Sequence, residues 1–292
     1  MTMPHGPLLD ALRGVRWPAR RAVGAALPGT HRSRQRGTSG EFTEYRLYRQ
    51  GDDPRQLDWK LLARSDRAFV RLTDDRALLP TWVILDGSAS MNFPDARHRT
   101  TNVPDKWSAA CAIAIGLASI AHASADPVGL LCTSATGTRR LSPRSRRGTI
   151  AEIVRTLGGA EAGGSAPLAP LLDMLSPNAR IVIITDLLGD GEELVTAAAH
   201  LAAAGAMLEC VHVIAAEELA PASGAHLARD PESPQIERVL NRNALASYLD
   251  SFAEFRASMA RRWRAMGAGY TEARTDASLP RIVRQVVGGQ ES

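Results

Sequence analysis

Pro80-Thr81-Trp82-Val83-Ile84-Leu85-Asp86-Gly87-Ser88-Ala89-Ser90 is an apolar run that passes directly into a cluster of oxygen-bearing side chains. Its β-branched and aromatic residues are typical of a buried strand. Asp86, Ser88 and Ser90 converge after this strand only if the chain turns sharply, and Gly87 permits the turn because it has no Cβ. Carboxylate and hydroxyl oxygens are the ligands that hard cations such as Mg²⁺ prefer. This stretch therefore predicts a strand that ends in a cation site.

A second acidic residue follows another β-branched run, since Ala179-Arg180-Ile181-Val182-Ile183-Ile184 precedes Thr185-Asp186. Ligands of open α/β sheets bind outside the carboxyl ends of parallel strands, where the strand order reverses. We therefore expect Asp86 and Asp186 to meet there, although 100 residues separate them. Two carboxylates about 4 Å apart repel by roughly 4 kcal/mol at the effective dielectric of a protein surface. A divalent cation would remove this repulsion and stabilise the fold by mass action.

Predicted strands alternate with predicted helices along most of the chain. This alternation indicates an α/β fold, a three-layer sandwich with a mostly parallel, doubly wound sheet. A long amphipathic helix is predicted from Ala244 to Met266 because its apolar residues step by three or four. The predicted organisation is a basic flexible arm (1–39), an N-terminal segment (40–79), an α/β core (80–216) and a C-terminal extension with the long helix (217–292).

Composition limits the class of protein. With 45% hydrophobic and 23% charged residues, the 292-residue chain can bury a core and is not disordered as a whole. Its three cysteines form no Cys-x-x-Cys pair, which predicts buried reduced thiols and a cytoplasmic location. The longest apolar stretch, Ala109 to Ala125, is mostly alanine and contains polar residues, so we expect a packed helix and no membrane span.

The first 40 residues are strongly basic, with seven Arg and one Asp, a net charge of +6 against +4 for the whole chain. The segment is also rich in Gly, Pro and Ser, which favours a mobile arm. A solvated arm or an intramolecular docking segment is expected over a nucleic-acid or lipid contact, because no repeated interleaving of aromatic and basic residues marks a nucleic-acid module.

Several enzyme classes can be compared with the sequence. A phosphate loop is excluded because neither lysine of the chain stands in a Gly-Lys-Ser/Thr motif. A serine hydrolase is disfavoured because Ser90 occupies the place of the second Gly in Gly-x-Ser-x-Gly. A Mg²⁺-dependent phosphohydrolase with Asp86 as nucleophile stays an alternative, although Ser88 stands where a second Asp is expected. A further alternative is that Asp86 caps a turn while the serines satisfy local backbone donors.

Asp-x-Ser-x-Ser after a buried strand, with a later Asp at a strand end, resembles the metal-ion-dependent adhesion site of von Willebrand factor A-type domains. A wider set of residues resembles the bacterial family called domain of unknown function fifty-eight, with Gly-Asp-Asp-x-Arg-x-x-Asp-Trp as its most specific string. The resemblance covers the chain from about Gly40 to the C-terminus. The matching segments are Gly40-Glu41-Phe42, Arg46-x-Tyr48, Gly51 to Trp59, Ala63-Arg64, Asp86 to Met91, Lys106 and Tyr270 to Asp276.

The resemblance to the adhesion site implies a set of ligands for Mg²⁺, with Mn²⁺ or Ca²⁺ as alternatives. The implied ligands, bound directly or through water, are Asp86, Ser88, Ser90 and Asp186. The pattern takes a further oxygen from a Thr in a middle loop. In this chain Ser165 could replace that hydroxyl, although counting back from the next helix without a gap places Ala166 there.

The resemblance also implies a function. A cation held by hydroxyls and water-bridged carboxylates keeps a position that an Asp or Glu of a partner can occupy. We therefore expect a non-enzymatic, metal-dependent protein-binding module, and the family implies a MoxR-type AAA+ ATPase as partner in the assembly or maturation of other proteins. Ion pairs that fix the N-terminal segment explain the charged residues of the family string as well as a binding surface does. The family-motif residues are Asp52, Asp53, Arg55, Asp58, Trp59 and Arg64.

Overall fold

The structure is a computed structural model of the chain. It describes residues 5–17, 41–49, 57–65, 67–74, 79–95, 103–165, 167–221, 227–229, 237–239 and 241–288. Most of the predicted arm therefore lies outside the described residues, as do Asp52, Asp53 and Arg55 of the family string.

The chain divides into two units, one of residues 24–78 and one of residues 1–23 together with 79–292. In chain order the described elements are α1 (Gly6–Ala11), β1 (Glu41–Leu47), α2 (Trp59–Ser65), β2 (Phe69–Asp74), β3 (Thr81–Leu85), α3 (Lys106–Ala123), β4 (Val128–Cys132), β5 (Arg139–Arg144), α4 (Thr149–Gly158), α5 (Ala169–Leu172), β6 (Arg180–Thr185), α6 (Gly191–Ala203), β7 (Met207–Ile214), α7 (Ala216–Leu219), β8 (Leu227–Arg229), β9 (Glu237–Val239), α8 (Arg242–Ala265), β10 (Gly269–Arg274) and α9 (Leu279–Gly288). In the smaller unit, β1 and β2 form an antiparallel pair and α2 lies between them in sequence. In the larger unit, β8 and β9 form a separate antiparallel pair.

The main sheet of the larger unit has the order β10-β7-β6-β3-β4-β5. All neighbours pair in parallel except β4 and β5, which are antiparallel. The chain starts at the central strand β3, builds β4 and β5 on one side, and then crosses to β6 on the other side. The strand order therefore reverses between β3 and β6, which is the expected place for a ligand in such a sheet.

Helices cover both faces of this sheet, and the predicted three-layer α/β sandwich is confirmed. One face packs against α1, α3, α4 and α9, and the other against α5, α6 and α8. All residues of β3, β4 and β6 are buried, as expected for strands with helices on both faces. The apolar runs that predicted these strands are continuous for this reason.

The alanine-rich helix α3 lies at the centre of one layer. A Cβ on Gly116 would stand 3.1 Å from side-chain atoms of both Leu12 and Val283, so the small residue lets α1 and α9 pack closely. Among the described residues, α3 is the one helix whose length and composition would let it cross a membrane, and 72% of it is buried inside the protein. Packing against the sheet and three neighbouring helices accounts for its apolar composition.

Residues 5–17 correct the prediction of a flexible arm over 1–39. They include α1, and Leu8, Leu12 and Trp17 are buried in the core. The flexible arm was predicted from the basic charge of the first 40 residues, but all seven arginines follow residue 12. The apolar residues Leu8 and Leu12 lie on the buried side of the short helix α1 and its C-cap. This segment therefore packs as part of the larger unit.

The sheet also extends past residue 216, where the predicted core ends. β10 pairs in parallel with β7 over six residues, and α9 contributes Ile282, Val283 and Val286 to the core. The predicted long helix is confirmed as α8, and it covers the sheet with Met259 and Trp263. Within the predicted C-terminal extension, β10 and α9 are therefore parts of the α/β core itself.

Candidate metal centre

The candidate site lies at the carboxyl ends of β3 and β6, where the strand order reverses. The two strands pair so that Leu85 is opposite Ile184, and the Asp86 amide donates to the Ile184 carbonyl oxygen at 2.9 Å. Asp86 and Asp186 thus leave adjacent strands at the same edge of the sheet. The expectation that these two acids meet, although they are distant in sequence, is met by the structure.

A tight turn brings the residues after Asp86 back toward the sheet. The Gly87 amide donates to the Thr133 hydroxyl at 2.8 Å, and a Cβ on Gly87 would lie 2.0 Å from the Thr133 carbonyl oxygen. No side chain fits at that distance, so the turn requires glycine. The turn fixes the direction in which Ser88 and Ser90 face.

The two serines lie close to the two acids. The Ser88 and Ser90 hydroxyls are 3.0 Å apart, and Ser88 lowers the pKa of Asp86 while Ser90 lowers the pKa of Asp186. Asp86 also accepts bonds from the Ser88 amide at 2.9 Å and from the Thr185 hydroxyl at 2.7 Å. The four predicted ligands are therefore brought together, and each has no more than 7% of its surface exposed.

The two carboxyl groups differ in their electrostatic environment. Burial, together with the charge of Asp186, raises the pKa of Asp86 to about 6, although hydrogen bonds from Thr185 and Ser88 oppose the rise. Burial would also raise the pKa of Asp186, but the adjacent Lys106 ammonium outweighs it and lowers that pKa. Asp86 is thus a buried acid whose negative charge is poorly compensated within the protein.

Lys106 supplies the positive charge beside Asp186. Its Nζ lies 2.7 Å from Asp186 Oδ2 and 2.8 Å from Glu218 Oε1, and 1% of its side chain is exposed. Burial lowers the pKa of Lys106, but the two carboxylates outweigh this and raise it above its usual value. Counted with the neighbouring Asp86, the cluster has three carboxylates and one ammonium, a formal net charge of −2 at neutral pH.

The loop after Asp186 and the neighbouring strand β7 complete the surroundings. Leu187 is a buried residue in the left-handed region with φ of 60°, which costs a non-glycine residue about 1 kcal/mol or more. Its amide donates to the Thr185 hydroxyl at 3.0 Å, and the Leu188 amide donates to Asp186 Oδ1 at 3.1 Å. His212 Nδ1 lies 2.6 Å from the Tyr270 hydroxyl, and burial lowers the pKa of His212 to about 4, so the imidazole is neutral.

The glycine loop that precedes Ser165 lies against the Asp86 turn. Gly163 donates to the Gly87 carbonyl at 2.7 Å, and Ala89 donates to the Gly164 carbonyl at 3.0 Å. Ser165 follows directly and is exposed, whereas Ala166 lies outside the described residues. The structure thus places Gly163 and Gly164 against the turn, and the role of Ser165 as a ligand stays a prediction.

Three of the six family-motif residues, Asp58, Trp59 and Arg64, are among the described residues, and they belong to the smaller unit. Asp58 caps α2 by accepting bonds from the Lys60 and Leu61 amides, both at 3.0 Å, and its own amide donates to the Phe69 carbonyl. This is a structural role of the kind that the sequence left open. Trp59 is 64% exposed, and Arg64 is exposed in the last turn of α2.

The donor set fits a hard divalent cation. Asp86, Ser88, Ser90 and Asp186 offer oxygen atoms without any nitrogen or sulfur, which suits Mg²⁺, Mn²⁺ or Ca²⁺. The described part of the chain contains no group of three or more His, Cys, Asp and Glu residues that could hold a metal. Serine hydroxyls would therefore be necessary ligands, and the weakly compensated charge of Asp86 is what a cation would offset.

The sequence predicted the acids and serines but assigned no role to Lys106, Glu218 or Thr185. Two signals were available for Lys106, because it is among the residues that resemble the family and is one of two lysines among the 35 basic residues of the chain. No local pattern marks Glu218, which reaches Lys106 across 112 residues.

The model of the family described as "Protein of unknown function DUF58" matches residues 44–257. Relatives include the uncharacterized proteins Rv1480 of Mycobacterium tuberculosis and Mb1516 of Mycobacterium bovis. Each is 30% identical over 301 residues, with 96% of this chain and 89% of the relative covered. These matches assign no reaction to the chain.

Solved structures with a similar fold include BatB from Bacteroides thetaiotaomicron, with 18% identity, a TM-score of 0.44, and coverage of 72% of this chain and 97% of that one. The SpRpn10 VWA domain matches with 13% identity and a TM-score of 0.42, over 74% of this chain and 98% of that one. Neither likeness bears on the activity of this chain.

Proposed function

Because the chain belongs to the DUF58 family, we propose that it is a non-enzymatic protein-binding module whose site at the sheet edge is completed by a divalent cation. The observation that carries this proposal is the clustering of Asp86, Ser88, Ser90 and Asp186, in which the two serine hydroxyls are 3.0 Å apart and each acid responds to one serine. Acids and hydroxyls from two adjacent strand ends converge there, at the reversal of strand order.

Some residues of the site would bind the cation, and others would orient the ligands. The two serine hydroxyls and the carboxylates of Asp86 and Asp186 would hold it, with Ser165 as a candidate fifth ligand. When bound, the cation would supply a Lewis-acidic position for a carboxylate of a partner protein. Thr185 and the Gly87 turn orient the ligands, which keeps the cost of assembling the site low.

The partner we propose is a MoxR-type AAA+ ATPase, with this chain as an adaptor in the assembly or maturation of other proteins. The support is the resemblance of the family string and of the adhesion-site motif, which is an argument by analogy. We also propose a cytoplasmic location, which agrees with the three unpaired cysteines, Cys111, Cys132 and Cys210.

Isothermal titration of the protein with Mg²⁺ and Mn²⁺ tests the site. We expect saturable heat from the wild type and none from Asp86→Asn, which keeps the shape of the side chain and removes its charge. Asp126→Asn is the matched control, because Asp126 is a buried acid at the other end of the sheet. Equal heats from the wild type and Asp86→Asn would reject the metal site.

A pull-down with and without chelator tests the partner. A MoxR-type ATPase should be retained with Mg²⁺, released by chelator, and lost with Asp86→Asn. Retention that is indifferent to chelator would reject the metal-dependent mechanism of binding.

A Mg²⁺-dependent phosphohydrolase that uses Asp86 stays the second candidate. The observation in its favour is the Lys106 ammonium beside the acids, since a fixed cation can stabilise a phosphoryl group. Against it, both oxygens of Asp86 accept hydrogen bonds and the residue is 6% exposed. Incubation with a generic phosphoester and Mg²⁺ separates the two candidates, and we expect no turnover above buffer.

A further inference from the structure

Lys106 is a buried cation in contact with one of the proposed metal ligands. It is the first residue of α3, and its amide donates to the Phe93 carbonyl oxygen at 3.0 Å. The ammonium lies 5.8 Å from the centre of the Phe93 ring, 2.7 Å from Asp186 and 2.8 Å from Glu218. It is therefore held from three directions, by the loop after the Asp86 turn, by the end of β6 and by α7.

The Asp186 carboxylate already has a cation on one of its oxygens. Its Oδ1 accepts the Leu188 amide and its Oδ2 accepts the Lys106 ammonium. A divalent cation that binds the Asp186 carboxylate would come close to the Lys106 ammonium, which already neutralises that carboxylate. The two cations would repel each other, because both are buried at one carboxyl group where water screens little.

We propose that Lys106 is a tethered competitor of the divalent cation for Asp186, and that Glu218 regulates the competition by holding the ammonium from the other side. This inference rests on the proposed function, because it assumes that Asp186 is a metal ligand.

The geometry of Glu218 supports the second half of the proposal. Glu218 Oε2 accepts the Ala215 amide at 2.7 Å, so its carboxylate is fixed at the start of α7 while Oε1 holds Lys106. When the cation takes Asp186, the ammonium still has Glu218 as a partner and is not left as an unpaired buried charge. Binding at the sheet edge is thereby coupled to α7, which begins directly after β7.

Three variants separate competition from a general charge effect. Lys106→Met removes the competitor and changes the net charge of the cluster from −2 to −3. Glu218→Gln leaves the competitor on Asp186 alone and changes the charge to −1. The double variant Lys106→Met/Glu218→Gln removes the competitor and restores the charge of −2. It also avoids an unpaired Glu218, so it guards against a failure of Lys106→Met to fold.

Titration of the four proteins with Mn²⁺, followed by thermal melts with Mn²⁺ and with chelator, provides the test. We expect the double variant to bind Mn²⁺ about tenfold more tightly than the wild type, and Glu218→Gln to bind several-fold more weakly, as for a charge within about 4–6 Å of a carboxylate. The melting temperature of the double variant should also depend more strongly on Mn²⁺, because Asp186 lacks any cation when the metal is removed.

The outcomes distinguish this inference from the function on which it rests. Equal affinities of the wild type and the double variant would overturn the competition, because net charge alone would then set the affinity. Tighter binding by Glu218→Gln than by the wild type would overturn the role of Glu218. Flat titrations of all four proteins would overturn the metal site itself, and with it both proposals.

Discussion

At the start of β6, Arg180 is buried against Asp126, and just beyond the end of the same strand, Asp186 is buried against Lys106. The two cations have the same low exposure, 1% of the side chain in each case. Each therefore lies in a place where an unpaired charge would be costly. The two ends differ in what else surrounds the pair.

Neutral groups add to the ion pair at the Arg180 end. The guanidinium lies 3.2 Å from Asp126 Oδ2, donates to the Thr81 hydroxyl and the Trp17 carbonyl at 3.3 Å, and stands 4.4 Å from the centre of the Trp17 ring. Glu209 adds a weaker attraction. These contacts join residues 5–17 to the sheet, which is a structural role.

Acids and hydroxyls crowd the Lys106 end. Lys106 faces two carboxylates, Asp86 adds a third nearby, and the hydroxyls of Ser88 and Ser90 lie between the acids. The strand ends of one sheet thus carry two kinds of buried ion pair. A pair whose cation also bonds neutral acceptors stabilises the fold, whereas a cluster of acids and hydroxyls with a larger excess of negative charge is suited to bind something positive.

The largest expected effect is at the Arg180 end. Arg180→Met leaves Asp126 without its cation and frees the Trp17 carbonyl, and we expect a loss of about 4 kcal/mol in the free energy of unfolding. Metal binding should not change. Urea unfolding and Mn²⁺ titration of the same sample measure both quantities.

Arg147→Met is the control for Arg180→Met, because Arg147 is an exposed arginine of the same unit. It should change stability by less than about 0.5 kcal/mol. If Arg180→Met abolished metal binding while the protein stayed folded, the two ends would not be independent and the comparison would fail.

The next effect is expected at the turn on the Lys106 end. Gly87→Ala places a Cβ 2.0 Å from the Thr133 carbonyl oxygen, so the turn must move. We expect a loss of about 3 kcal/mol and a loss of metal binding, because both serines follow the turn. Gly158→Ala is the matched control, since nothing lies within 4 Å of its added Cβ. Unchanged metal binding in Gly87→Ala would show that the turn does not orient the ligands.

The third prediction tests whether the negative charge of Asp86 serves to bind the cation. If the cation offsets the charge of Asp86, saturating metal should stabilise the wild type by about 2.7 kcal/mol at 100 times the dissociation constant. Asp86→Asn should lose this increment, while Asp126→Asn should keep it despite a lower stability in chelator. Urea unfolding with Mn²⁺ and with chelator gives the increment for each protein. An equal increment in Asp86→Asn would mean that the acid excess does not serve the metal.

Much of the main sheet and the four candidate ligands of the site were predictable from sequence. Strands with both faces covered read as continuous β-branched runs, and the rule for ligand position then brings Asp86 and Asp186 together. The Asp-x-Ser-x-Ser spacing adds the serines, since the turn at Gly87 is local. Each of these inferences depends on neighbours in sequence or on the general topology of parallel sheets.

What was missed depends on contacts between distant segments. Lys106 reaches Asp186 across 80 residues and Glu218 across 112, and no periodicity encodes such a contact. The same limit explains why residues 5–17 and β10 were not predicted as parts of the core. α1 is a six-residue helix, and β10 reads Gly-Tyr-Thr-Glu-Ala-Arg, so neither has a strong local pattern, and both are held by the core against which they pack.

The smallest effects are expected from removing one threonine hydroxyl at each end of the sheet. Thr185 donates to Asp86 at 2.7 Å and accepts the Leu187 amide at 3.0 Å, whereas Thr81 makes contacts of 3.3 Å to Arg180 and 3.4 Å to the Leu79 carbonyl. We expect Thr185→Val to lose about 2 kcal/mol and Thr81→Val about 1 kcal/mol, because the shorter bonds leave buried partners unsatisfied when they are removed.

Metal titration of the same threonine pair gives the sharper contrast. Thr185→Val should weaken Mn²⁺ binding, because the Asp86 carboxylate loses the donor that fixes its direction, and Thr81→Val should leave the affinity unchanged. Each variant serves as the control for the other, since both remove one buried hydroxyl from a strand of the same sheet. Equal affinities in the two variants would mean that Thr185 supports the strand end and does not position Asp86 for a cation.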